Sequence, residues 1–468
     1  MTVLSDDEIK SIHKASVDIL SSCGVQMGDA EMLSLLKAKG LEVKDDTVRF
    51  SRSVLEDTIA GIPSTIDVFD REGAFAFTLG DGDSKIAAGH NAVFWVDGET
   101  GATRPSRVAD VETFSRICEN LEYIHMIGIP VMPQDVPNPR TTLVHAVRAV
   151  VENSAKPVFF STDNREINRA VIDLLEAAYG GDFSSEVYGI SQLSPTSPLY
   201  WEKGVTQAIR DTLTTNVPLA ILPEPNAGVS APYTLAGLLT VNNAECLSGL
   251  AMIQLLKPGA AVMYANSWTA MDMRTAAALV GSTETSICRV AGAQLARYYG
   301  VPSHTTAPNS DNHAHDEQNA WEKTYSTMCS VAAGNDLVVN CGMFATGLTC
   351  SNEQLVMDEE ISAMAKRIAT GIEVTEETIA ADLIKDTGPR GEYLTSDHTL
   401  AWLRRGEYLE PRVSVRTGRE SWLRAGGNDT YALSKRRAAT LDRPTRPLLD
   451  SDRIRSIQEI CSNVDERM

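Results

Sequence analysis

"AAVMYANSWTAMD", residues 260–272, decides how this chain is read. It begins with an unbroken apolar run and ends in Asn266, Ser267, Trp268 and Asp272. A strand half exposed to water alternates polar and apolar residues; a strand covered on both faces, as in a parallel sheet, does not. Six further runs share the pattern: "YIHMIGIPVMP" (123–133), "PVFFSTD" (157–163), "VYGISQLSP" (187–195), "PLAILPEP" (218–225), "VPSHTTAP" (301–308) and "DLVVNCGMF" (336–344). An eighth, "SNEQLVMD" (351–358), is less apolar. Stretches with helical period, such as "RTTLVHAVRAVVENS" (140–154), lie between most of them. The expectation is an α/β fold, a TIM (β/α)8 barrel. An open doubly wound sheet competes, but no GxGxxG follows the first run, which argues against a dinucleotide site.

Around this core the texture changes. Residues 1–105 read as an N-terminal mixed α/β extension: a helix capped by Ser5 with Glu8 three residues on, a second helix, then alternating strands in "LEVKDDTVRFS" and "STIDVFDREGAFAFTLG". Residues 106–370 form the expected catalytic barrel. Residues 371–468 form a C-terminal helical extension that packs on the barrel or makes an oligomer contact, so a homo-oligomer is expected.

The composition narrows the function. The net charge of −20, with no basic stripe, argues against nucleic-acid binding. No segment approaches the roughly 20 apolar residues of a membrane span. The start "MTVLSDDEIK" lacks the basic, apolar pattern of a signal peptide. The eight cysteines are scattered and contain no CxxC pair, which reads as free thiols in a cytoplasmic protein.

In such a barrel, chemistry sits at the carboxyl ends of the strands. Those ends carry Met132, Gln134, Ser161, Asp163, Gln192, Ser194, Glu224, Asn226, Asn266, Trp268, Asp272, His304, Thr306, Asn309, Phe344 and Thr346. "PNSDNHAHDEQNAWEK" (308–323) follows the sixth of these strands directly, and holds Asp311, His313 and His315. Two histidines two residues apart can share a zinc ion, but a third ligand is not evident. Asp163 and Asp272 could equally cap helices, and Glu284 is either a first-turn helix residue or a site carboxylate. Tyr200, Trp201, Trp268, Phe344 and Trp95 (with Asp97 beside it) could be core residues, or a cage for a quaternary ammonium, which aromatic faces attract.

The stretches 232–284, 347–361 and 391–427 ("GEYLTSDHTLAWLRRGEYLEPRVSVRTGRESWLRAGG") resemble the trimethylamine methyltransferase family, in family order over nearly the whole chain. Founding members of that family carry pyrrolysine, and this sequence has an ordinary residue at every position. The resemblance is therefore to the non-pyrrolysine branch, typified by glycine betaine:corrinoid methyltransferase. It implies methyl transfer from a quaternary amine such as glycine betaine to Co(I) of a cognate corrinoid protein. No cofactor is expected to be bound permanently, and no metal. The base-off cobalamin signature DxHxxG is absent: "DNHAHD" lacks the glycine.

On that reading Glu284, Asp311 and His313 are the catalytic candidates. Trp95, Asp97, Trp201, Trp268 and Phe344 would face the ammonium, and Asn266, His304 and His313 the substrate carboxylate. Asp311 and Gln318 match the family pattern. Proline betaine or carnitine as substrate, a zinc-dependent methyltransferase or hydrolase on the same barrel, and a non-catalytic betaine-binding protein are the alternatives.

Overall fold

The computed structural model describes residues 1–162, 164–445 and 449–468. Eight parallel strands make the core: β1 Lys85–Ala88, β2 Ile127–Gly128, β3 Val158–Ser161, β4 Gly189–Leu193, β5 Leu219–Ile221, β6 Val262–Asn266, β7 Ser303–Thr306 and β8 Leu337–Cys341. Each pairs with its neighbour in sequence order, and β8 returns to pair with β1. An isolated parallel bridge, Ala87 to Met126, joins β1 to β2 and completes the circle. A helix follows every strand: α1 Val108–Glu119, α2 Thr142–Asn153, α3 Arg165–Ala178, α4 Lys203–Thr212, α5 Leu235–Leu256, α6 Thr283–Tyr299, α7 Glu317–Ala332 and α8 Asn352–Thr370. This is the (β/α)8 barrel that the unalternating strands led us to expect.

One strand differs. "SNEQLVMD" is not a strand but the start of α8, with Ser351 as N-cap, its side-chain oxygen accepting from the Gln354 amide. Its Leu355, Val356 and Met357 belong to a helix whose inner face is buried, and a short apolar run cannot distinguish that from a strand. The missing strand is β1, "KIAA", which lies inside residues 1–105.

Residues alternate between the inside and the outside of the barrel wall. In β6, Val262 and Tyr264 pack outward, while Met263 and Ala265 join Ala87, Phe159, Ile190, Ala220, Leu222, Leu337 and Val339 in the interior. A hairpin, Ile66–Phe69 with Phe75–Leu79, closes the amino end of the barrel. It inserts Ile66, Val68, Phe77 and Leu79 into the same interior cluster. Burying each such side chain contributes about 1.5–3 kcal/mol. The interior is thus solid below, and only the carboxyl end can open.

The first helix, Asp6–Ser22, has the expected capping box between Ser5 and Glu8. It ends before Gly24, whose positive φ and contact with the Val48 carbonyl leave no room for a Cβ. Its buried Ile9, Ile12, Val17 and Leu20 share a cluster with α5. At the other terminus, helix Thr430–Leu441 packs on α8 and helix Ser451–Arg467 on α3. No helix among the described residues is long and apolar enough to cross a membrane.

Candidate functional site

Above the apolar interior lies a polar layer built from the inward-facing strand ends. Phe159 of β3 holds two imidazoles against its ring, His90 just after β1 at 5.2 Å and His304 of β7 at 5.0 Å between centroids. His90 Nε2 lies 3.4 Å from Gln192 Nε2, and Gln192 donates to Ser161 Oγ at 3.5 Å. Thr306 donates to Ser267 Oγ at 3.3 Å. His90 Nδ1, Gln192 Oε1 and both ring nitrogens of His304 are buried with no hydrogen-bond partner among the described residues. Buried polar atoms normally find partners, so unfilled ones in a barrel mouth mark a place for a ligand. A cavity of about 660 Å³ opens beside this layer, lined by Asn91, Met132, Arg140, Ser161, Thr162 and Asn164 among others.

Glu224 completes the layer. The ladder between the chain after β5 and the chain after β6 continues past the strand ends, through Ser267 N–H to the Pro223 carbonyl and Thr269 N–H to the Pro225 carbonyl. Counting by twos from the inward Ala220 and Leu222 puts Glu224 on the inner face. It keeps solvent-accessible surface, because the barrel is open above it, and no hydrogen bond to its carboxylate is found among the described residues. Protein surrounds it nonetheless, and the loss of bulk water pushes its carboxyl up to about 7. Burial acts oppositely on the imidazoles, lowering His304 to about 3 and His90 to about 4. At neutral pH the two histidines are uncharged. Among the described residues the layer offers the carboxyl of Glu224 and two neutral imidazoles, with Arg140 on the wall of the adjoining cavity.

The rim loops are clasped by the half-buried Asp311 and the buried Arg289. Asp311 accepts from the amides of Val280 (2.9 Å) and Gly281 (3.0 Å), and burial raises its pKa. Arg289 of α6 donates to the Val280 carbonyl at 2.8 Å and the Thr306 carbonyl at 2.6 Å. Burial lowers Arg289 to about 10. Glu322 accepts from Ser310 Oγ and the Asp311 amide, and Gln318 donates to it at 2.9 Å. Asp311 and Gln318 thus belong to one clasp, which fixes the hairpin Ala270–Asp272 with Ala277–Leu279 beside the mouth.

The other sequence candidates are dispersed. His304 is in the layer. Trp95 packs edge-on to Phe114 in the outer core. Asp97 caps its own turn, accepting from the amides of Glu99 and Thr100. Trp201 is wedged against α5, its indole donating to Ser248 at 3.0 Å. Asn266 and Trp268 lie behind β6 against Gly292 of α6, and Asn266 accepts from Thr305 at 2.7 Å. Phe344 packs against His315, 4.6 Å between centroids. Glu284 and His313 are exposed, and Asp272 accepts from the Arg274 amide within its own hairpin. Asp163 lies outside the described residues. His313 and His315 do not converge, and no group of three His, Cys, Asp or Glu side chains among the described residues is placed to hold a metal ion.

Glu224, Gln192 and Ser161 were visible as strand ends but carried no aromatic signal to single them out. His90 escaped because β1 was not recognised; the run "KIAAGHN", apolar and then polar, was the available cue.

Comparison with known proteins agrees with this architecture. Residues 1–467 match the family model described as trimethylamine methyltransferase (MTTB). A trimethylamine methyltransferase MttB of Desulfitobacterium hafniense (strain DSM 10664 / DCB-2) is 30% identical, over 91% of this chain and 86% of that protein. That of Methanosarcina barkeri is also 30% identical, over 100% of this chain and 96% of that one. A glycine betaine methyltransferase of Desulfitobacterium hafniense (strain Y51) is 26% identical, over 90% and 88%. The crystal structure of the Methanosarcina barkeri monomethylamine methyltransferase (MtmB) shares the fold, with TM-score 0.55, 13% identity and coverage of 99% of this chain and 88% of that one. A barrel with a chamber at its carboxyl end and a match along essentially the whole sequence place the chain as a methyltransferase of the trimethylamine methyltransferase (MTTB) family.

Proposed function

We propose that the chain moves a methyl group from a quaternary ammonium carboxylate of the glycine betaine class to Co(I) of a corrinoid carried by a partner protein. The observation that carries the reading is the carboxylate of Glu224, which strand parity puts on the inner face of the barrel wall that also holds two imidazoles kept neutral by burial. A cation entering this layer meets the Glu224 carboxylate, and neither imidazole carries a charge to repel it.

The chemistry suits such a sparse site. A quaternary nitrogen already carries the positive charge that makes its methyl group transferable, and it departs as a neutral amine. No general acid is required. The reduced corrinoid supplies the nucleophile. This chain's residues bind the ammonium at Glu224, bind the substrate carboxylate through Gln192 and Ser161, and hold the methyl group toward the open mouth. Positive charge on nitrogen falls as the methyl leaves, so a fully anionic pocket would hold the substrate more tightly than the transition state. One carboxylate is a compromise between affinity and rate.

Trimethylamine is the second candidate, favoured by the names and identity of the relatives at 30%. Purified protein with reduced cobalamin as acceptor, offered glycine betaine, proline betaine, carnitine and trimethylamine in turn, distinguishes them by mass spectrometry of the demethylated products. Loss of one methyl group from a betaine, with none from trimethylamine, is the expected result. Turnover of trimethylamine alone would refute the quaternary reading.

A further inference from the structure

The cavity of about 660 Å³ beside the polar layer is walled by residues at the ends of β2 and β3 and by the first turns of α2 and α3. Among its described lining residues Arg140 is the sole charged side chain. A 3-10 turn, Pro139–Thr141, carries it, and Asn138 Oδ1 accepts from the Arg140 amide at 3.0 Å. The helix Ser451–Arg467 fixes this turn from outside. Asp465 of that helix accepts from the Thr141 hydroxyl and lies 3.0 Å from His145 Nε2.

Asp465 is therefore engaged elsewhere, and among the described residues Arg140 pairs with no Asp or Glu side chain. Its Nη1 donates to the main-chain oxygen of Met468 at 2.9 Å. A guanidinium that uses one donor in this way keeps the rest of its planar fork, which matches a carboxylate. The other polar groups of the wall differ in what they have left. The Thr142 hydroxyl is spent on the carbonyls of Pro133 and Pro139, and Asn164 Oδ1 on the amides of Glu166 and Ile167. Ser161 Oγ accepts from Gln192 and donates to no group among the described residues. Arg140 and Ser161 thus remain as donors on the β3 side of the mouth. The Glu224 carboxyl is on the β5 side, with β4 between them in the barrel wall. A receptor for an anion and a receptor for a cation stand apart, as a zwitterion requires.

We propose that Arg140 makes this enzyme specific for amines that carry a carboxylate: its guanidinium, with the Ser161 hydroxyl, pairs the substrate carboxylate while Glu224 holds the ammonium. This rests on the quaternary ammonium carboxylate reading above. Trimethylamine offers Arg140 nothing to bind. Holding both poles also restricts how the molecule can turn, so that one methyl group stays toward the mouth.

Calorimetric titration of the full chain with glycine betaine and with choline tests this, since choline has a hydroxyl where betaine has the carboxylate. Arg140→Ala should weaken betaine binding about 30-fold and leave choline binding as it is in the unaltered protein. Arg140→Lys, which keeps the charge without the fork, should lie between. With reduced cobalamin as acceptor, KM for betaine should follow the same order. An Arg140→Ala protein that binds betaine as tightly as the unaltered one would overturn the assignment of Arg140 and leave the betaine reading standing. Equal losses for betaine and choline would also overturn it, because they would make Arg140 a structural residue. An unaltered protein that neither binds nor demethylates betaine would overturn the reading and the assignment together.

Discussion

The imidazole of His304 lies against the ring of Phe159, 5.0 Å between centroids, at the level where the barrel interior changes from apolar to polar. Neither of its ring nitrogens has a partner among the described residues, and burial keeps it uncharged down to about pH 3. Below it the barrel is packed with aliphatic side chains; above it are Gln192, Ser161 and Glu224. The residue therefore forms the floor of the chamber.

This placement has a consequence for acid stability. The unfolded chain protonates His304 near its ordinary pKa of 6.5, whereas the folded protein resists until about 3. Its contribution is therefore complete above pH 6.5 and is lost as pH falls toward 3, about 2 kcal/mol having gone by pH 5. Melting temperature followed from pH 7 to 5 should fall in the unaltered protein. The fall should be shallower in His304→Phe, which has nothing to titrate.

Glu224 should act on affinity rather than on the chemical step. Glu224→Gln keeps the shape and removes the charge, so KM for a quaternary substrate should rise about 10-fold, or roughly 1.4 kcal/mol, with kcat changed far less. Because the carboxyl is pushed up to about 7, affinity in the unaltered enzyme should weaken as pH drops below 7. The variant should show no such dependence. Steady-state kinetics at pH 6, 7 and 8 measure both; equal pH profiles for the two proteins would remove Glu224 from the site.

Asp97 and Trp201 should behave as structural residues. Asp97→Ala removes a turn cap, costing about 1 kcal/mol of stability, with kcat/KM within about threefold of the unaltered enzyme. Trp201→Phe loses the bond to Ser248 and should likewise change stability before activity. Urea unfolding beside turnover separates the two effects.

The ion pair of Lys323 and Asp358 joins α7 to α8 at 2.8 Å with both side chains fully buried. Asp358 also accepts from the Gly342 amide, which follows β8 directly. Lys323→Met leaves that carboxylate without its cation and should cost roughly 3–5 kcal/mol. Adding Asp358→Leu should recover part of the loss. Denaturant midpoints for the single and double variants give the coupling.

Asp311→Asn keeps a side chain that can accept one amide bond from the rim hairpin, where the carboxylate accepts two. The hairpin should then exchange its amide hydrogens faster. KM should rise more than kcat falls, because the carboxylate is engaged by the amides of the rim hairpin.

Local pattern alone determined much of this protein. A strand covered on both faces must be apolar without alternation, so seven barrel strands stood out in the sequence, and capping chemistry marked the first helix. The eighth strand did not stand out: "KIAA" is short and follows a true alternating hairpin, whereas "SNEQLVMD" is apolar because it packs as a helix. The chamber was legible only as a set of strand ends. Which of those side chains point inward depends on the parity of each strand within the closed wall, and one residue of register reverses it. So Trp268 and Asn266, attractive by type, face α6, while Glu224 and His90 face the interior. Residue type shows what chemistry a side chain can do; closing the barrel decides which side chains meet.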